Sequence, residues 1–120
     1  MSIEEVEFAK NENIKIFWAK DLQDNQDWQE DAVSKLSDNV YITIDLDGLD
    51  PSFMSSVGNP EPGGLQYYQT LEFLRKVSKE KNVVGFDVVE LCTNDKDISS
   101  DFTAAKIIYK FIGYIFDNKK

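Results

Sequence analysis

Two apolar runs decide most of what this chain can fold into. "VYITIDL" (40–46) and "NVVGFDVVE" (82–90) are rich in β-branched residues and almost free of polar interruption. That composition predicts strands covered on both faces, the usual state of parallel strands. Between them, from Leu65 to Ser78, the apolar positions Tyr68, Leu71, Phe73, Leu74 and Val77 recur at helical intervals. A strand, a connection containing a helix and a second strand make a parallel unit, and such crossovers are almost always right-handed. The two strands are therefore expected side by side, with the helix across one face.

The remaining segments fit the same class. "SIEEVEFAKN" (2–11) predicts a short helix opened by a capping box between Ser2 and Glu5. "IKIFWA" (14–19) has the composition of a short strand. "DWQEDAVSKL" spaces Trp28, Ala32, Val33 and Leu36 as a helix, with Asp27 as its cap. Pro51, Pro60 and Pro62 forbid regular helix in "DGLDPSFMSSVGNPEPGG". "DFTAAKIIYKFIGYIFD" reads as an apolar closing helix capped by Ser99, Ser100 or Asp101. The expectation is an α/β unit occupying residues 1–120, without internal repeat or second domain.

Charge narrows the partners. The chain carries 22 acidic against 13 basic side chains, a net −9, which argues against nucleic acid because phosphate binding needs clustered Lys and Arg. No window approaches the roughly 20 apolar residues of a membrane span. The acidic amino-terminal stretch has no apolar core of a secretion signal, so the expected location is cytoplasmic. The lone Cys92 cannot form an internal disulfide, and no histidine exists to activate it as a nucleophile. A small buried or half-buried thiol is the expectation.

Chemistry concentrates where the strands end. Asp45 and Asp47 are two apart, so a continuing strand would point both to one side of its carboxyl end, where open α/β sheets bind ligands. Glu90 ends the second strand in the equivalent place. Converging carboxylates repel unless a cation sits among them, and oxygen ligands favour magnesium, calcium or manganese. The competing reading is an Asp-rich turn bonded to its own backbone, which Asp50, just before Pro51, suits best. A calcium EF-hand loop counted from Asp45 fails, because its required glycine and final glutamate fall on Asp50 and Ser56. A phosphatase of the haloacid-dehalogenase type, with Asp45 as nucleophile, survives as an alternative: "ITIDLDGL" approaches its Asp-x-Asp strand, but Leu49 replaces the final Thr or Val.

The string "ITIDLDGLDPSF…GNPEPGGL" resembles the third signature of the ureohydrolase family (arginases, agmatinases and relatives), Ser-x-Asp-x-Asp-x-x-Asp-Pro, with "PEPGGL" leaning toward agmatinases. "NVVGFDVVEL" and "TAAKIIYKFIGY" look like the end of the same proteins. The resemblance implies a three-layer α/β/α fold with a parallel sheet, of which residues 1–120 are the C-terminal part. It implies a two-manganese site to which Asp45 and Asp47 contribute, with Glu90 holding the substrate guanidinium. The implied reaction is hydrolysis of agmatine to putrescine and urea by a metal-bridging hydroxide, a step of polyamine biosynthesis. Thr43 stands where the family has serine, and "MSSVG" replaces its Ala-Pro-Gly. The histidine-bearing signatures Gly-Gly-Asp-His and Asp-x-His-x-Asp do not occur here. Met1 resembles an interior methionine of longer relatives. The segment is therefore expected to be inactive alone and to form a homo-oligomer or pair with an N-terminal half. A non-catalytic interaction or structural module derived from the same fold is the other reading.

Overall fold

The computed structural model describes residues 1–22, 25, 27–96 and 98–117. Helix α1 (Ile3–Asn11) opens with the expected capping box: the Glu5 N–H donates to Ser2 Oγ at 3.2 Å, and the Ser2 N–H donates to the Glu5 carboxylate. Two donors that a helix start leaves orphaned are thereby satisfied. Only Ala9 of α1 is buried, so the caps rather than packing hold this helix.

The strand expected at 14–19 does not form. Residues 14–18 have no regular structure, and a short helix, α2 (Ala19–Leu22), follows. A strand is stable only when a neighbour takes up its N–H and C=O groups. Among the described residues the sheet has two strands, β1 (Asn39–Asp45) and β2 (Asn82–Val89), and both pair with each other alone. Helix α3 (Trp28–Ser34) begins where expected, but the Asp27 side chain makes no capping bond. Packing holds it instead: Trp28 lies 5.1 Å from the Phe73 ring, and Gln29 Nε2 donates to the Gln69 carbonyl.

β1 and β2 run parallel, as the crossover rule requires, in the register Val40↔Val83 to Asp45↔Val89, with an irregularity between Val40 and Tyr41. The connecting helix α4 (Tyr67–Glu80) starts two residues later than expected, because Leu65 is drawn into a bridge with Leu49 and Gln66 donates its N–H to the Gln69 side chain. Leu71, Leu74 and Val77 of α4 are buried against the sheet, whereas Tyr68 points to solvent. Helix α5 (Ser99–Asp117) packs beside α4, sinking Ala104, Ile107 and Phe111 into the same core. Phe111 meets Phe86 of β2 edge-on, 4.8 Å between centroids. Ser99, Ser100 and Asp101 lie within the first turn of α5 rather than capping it.

The result is an α/β unit with a parallel sheet. Val40, Ile44 and Val83 turn toward α4 and α5, while Tyr41 and Thr43 stand exposed on the opposite face. The expectation of strands covered on both faces meets only one cover among the described residues. Among the described residues no helix is long and apolar enough to cross a membrane.

Candidate functional site

β1 ends at Asp45, and the chain turns at once into a 3₁₀ turn, Leu46–Gly48. Strand alternation therefore stops before Asp47. The cause is local: Asp45 Oδ1 accepts the Asp47 N–H at 2.9 Å and caps the turn, as short polar side chains do at helix starts. Leu46 and Leu49 anchor the turn from below, both essentially buried. Asp47 finds its own partner across the loop. The Asn59 N–H donates to Asp47 Oδ1 at 3.3 Å, and Asn59 Nδ2 donates to Oδ2 at 3.2 Å.

Asn59 belongs to a segment fastened at three further points. Ser56 donates its N–H to the buried Ser100 Oγ of α5 at 3.1 Å, and its carbonyl accepts the Cys92 N–H at 2.9 Å. Val57 bridges Leu91, just beyond β2. Gly58 lies against Glu90, whose Oε2 would sit 3.7 Å from a Cβ placed on that glycine. The 56–59 segment thus touches Asp47 on one side and Glu90 on the other. The strand register agrees, since Asp45 pairs with Val89, the residue before Glu90. Parallel neighbours lie about 4.8 Å apart, so the three acids share one end of the sheet.

Glu90 itself does not extend β2. Its φ of +68° places it in the left-handed region, where a side chain with a Cβ costs roughly 1–2 kcal/mol. Such backbone strain persists only where surrounding structure over-determines it, and it clusters at functional sites. The neighbouring Cys92 is exposed, contrary to the expectation of a buried thiol, because the chain leaves the sheet at this point.

Asp50 behaves as the turn reading requires. Its Oδ1 accepts the Ser52 N–H at 2.9 Å, and its Oδ2 accepts the Gly63 N–H at 3.1 Å. Hydrogen bonds from Ser52, hydroxyl before N–H, and from Gly63 hold its carboxyl below the ordinary 3.8. A carboxylate with a lowered folded-state pKa favours the folded state above its unfolded value, and that contribution disappears as pH falls through the lowered one. Urea unfolding followed from about pH 5 to pH 2 should lose stability over this window. An Asp50→Asn variant should show a flatter profile there; identical pH profiles would refute the assignment.

A metal fits these residues poorly on their own. Asp45 and Asp47 already accept hydrogen bonds, and among the described residues no group of three or more His, Cys, Asp or Glu could hold an ion. Asn59, the residue that joins Asp47 to the Glu90 loop, went unnoticed in the sequence. An asparagine between glycine and proline reads there as nothing more than turn chemistry.

Comparison with known proteins gives these observations a context. The model of the Arginase family matches residues 1–113. The N(1)-aminopropylagmatine ureohydrolase of Synechocystis sp. is 42% identical over 112 residues, covering 92% of this chain and 37% of that protein. The agmatinase of Pyrococcus horikoshii is 39% identical over 110 residues, 92% of this chain and 38% of its own length. Among solved structures, the agmatine ureohydrolase of Thermoplasma volcanium superposes with a TM-score of 0.68 at 29% identity, over 81% of this chain and 33% of that one. The proclavaminate amidinohydrolase of Streptomyces clavuligerus, 24% identical, shares the fold with a TM-score of 0.84 over 94% of this chain and 38% of its own. The chain thus spans well under half the length of these relatives. Its parallel α/β architecture is that of the arginase fold, and by the match over residues 1–113 the chain belongs to the arginase family.

Proposed function

We propose that this chain is part of an agmatinase-like ureohydrolase, whose reaction is hydrolysis of a guanidino group, agmatine and water giving putrescine and urea. The observation that carries the reading is the meeting of Asp47 and Glu90 at the 56–59 segment, on a chain of the arginase family. Glu90 is the guanidinium-binding residue in this reading. A guanidinium stays charged throughout the physiological range, and a carboxylate gives it a charge-assisted, directional partner. The left-handed backbone at Glu90 turns the chain at the strand tip and fixes where that carboxylate starts.

Asp45 and Asp47 are the residues proposed to contribute to a two-manganese site. The described residues do not complete such a centre, so its remaining ligands are proposed to lie outside them. The chain alone is accordingly proposed to be inactive.

The test is urea release from agmatine with manganese present. The 120-residue chain alone should release none. Co-expressed with the remaining portion of the Synechocystis relative, it should release urea, and Asp47→Asn should abolish that release. Glu90→Gln removes a charged partner worth about 1.5–3 kcal/mol and should raise KM at least about tenfold. A reconstituted, metal-loaded complex that leaves agmatine intact would overturn the reading, as would urea release by the chain alone.

A further inference from the structure

A serine at a helix start usually spends its hydroxyl on the helix, accepting one of the N–H groups that the first turn leaves orphaned. Ser100 does otherwise. It lies inside the first turn of α5, fully buried, and its Oγ accepts the N–H of Ser56, 44 residues earlier in the chain, at 3.1 Å. The bond leaves the helix and serves the loop.

Ser56 carries that tie on to the Glu90 turn. It is itself buried, its N–H goes to Ser100, and its carbonyl accepts the Cys92 N–H at 2.9 Å. Val57 bridges Leu91, so the segment runs against the two residues that follow Glu90. Gly58 then closes one side of the Glu90 carboxylate, since a Cβ there would stand 3.7 Å from Oε2. Asn59 ends the segment on Asp47.

Glu90 needs such a hold. Its left-handed φ of +68° is a conformation that a residue with a side chain keeps only where its neighbours over-determine it. The contacts that do so are the Cys92 bond and the Val57 bridge, and both belong to a segment whose buried end hangs on Ser100. Without the Ser100 hydroxyl the Ser56 N–H would be buried with no acceptor, a state native proteins rarely tolerate. The segment can relieve it only by lifting toward water, and its grip on the residues beyond Glu90 loosens with it.

We propose that Ser100 is a positioning residue for the candidate site: through Ser56 it fixes the 56–59 segment, and that segment fixes Glu90 for a guanidinium. This role rests on Glu90 being the guanidinium-binding residue, as proposed above. A serine that only stabilised α5 would, when truncated, weaken the whole fold evenly. A positioning serine loosens the segment ahead of the core.

Variants of the 120-residue chain separate the two roles. Ser100→Ala removes the acceptor. Ser100→Cys keeps the bulk of the side chain but offers only a weak acceptor, and serves if the alanine variant does not fold. Ile107→Val trims a fully buried side chain of the same helix that has no part in these bonds. Amide exchange in the chain alone is the first readout. In Ser100→Ala the Cys92 amide should gain at least about tenfold in rate relative to the slowest amides of β1 and β2, as local opening of the segment requires. Ile107→Val should change Cys92 and the strands by one common factor. The second readout is the reconstituted, metal-loaded complex used to test the function. There Ser100→Ala should raise KM for agmatine about three- to tenfold with kcat little changed, the mark of lost binding, and Ile107→Val should do neither. Cys92 and the strands accelerating equally in Ser100→Ala would overturn the proposal, as would an unchanged KM in a complex whose parent turns over. A parent complex that leaves agmatine intact would overturn the proposed function instead, and the exchange ratio would still decide whether Ser100 holds the segment.

Discussion

Replacing Phe111 with alanine should remove most of the stability this chain has. Phe111 is fully buried, and its ring meets Phe86 of β2 edge-on at 4.8 Å. It therefore helps fasten α5 to the sheet, within the core that Ala104 and Ile107 also enter. Truncating a buried phenylalanine costs about 3–5 kcal/mol, made up of lost transfer energy and the cavity left behind. Natural domains of this size hold only about 5–15 kcal/mol in total, and a sheet of two strands with one bare face belongs near the lower limit. Urea unfolding followed by circular dichroism should show the midpoint collapsing, with little helical signal left at the lowest denaturant. Tyr109, two residues earlier on α5, is 76% exposed, and Tyr109→Ala should shift stability by no more than about 0.5 kcal/mol. Equal effects from the two substitutions would mean that α5 does not pack as described.

The same packing explains which parts of the fold were legible in the sequence. β-branched runs at 40–46 and 82–90 became strands because each could satisfy its backbone against the other. The run at 14–19 has comparable composition and failed, because a ladder needs a partner and composition does not supply one. Helix α4 could be read from its spacing, except at Tyr68, where the apolar position faces solvent. Periodicity records which side chains are apolar, not whether anything lies opposite them.

At the candidate site the acids were visible and their geometry was not. Asp45 and Asp47 were expected to share a strand face, but a bond from the Asp47 N–H to Asp45 curls the chain first. Both the turn reading and the ligand reading begin with Asp after an apolar run, so sequence spacing alone does not separate them. Glu90 was placed by strand logic at the right end of the sheet. Its left-handed backbone carries no sequence signal, since that conformation usually announces itself through glycine or asparagine. The joining role of Asn59 depends on a contact twelve residues away and was out of reach of any local pattern.

Gly64→Ala should be the most damaging substitution in the loop that carries the acids. A Cβ at this position would lie 2.6 Å from the Leu49 carbonyl carbon, 2.7 Å from the Gly48 oxygen and 2.8 Å from the Asp50 nitrogen. All three are main-chain atoms, so no side chain can rotate to make room. The loop must separate from the turn, and with it the pairing in which Leu65 donates to the Gly48 carbonyl at 3.0 Å and Asp50 donates to the Leu65 carbonyl at 3.1 Å. Overpacking of this kind costs about 1–3 kcal/mol, and each of the two hydrogen bonds lost adds about 0.5–1.5 kcal/mol more. Gly63→Ala tests a different cause, for its surroundings are open but its φ is +84°, a strain of roughly 1–2 kcal/mol for alanine. Gly48→Ala meets neither obstacle and should be nearly silent. The expected order of destabilisation in urea is therefore Gly64 well above Gly63, with Gly48 last. Because the turn fixed by Gly64 also carries Asp47, its loss should release the Asn59 side-chain amide from the Asp47 carboxylate, visible as a shift of that amide resonance. An unmoved Asn59 signal in a destabilised Gly64→Ala variant would show that the loop's closure and the placement of the acids are independent.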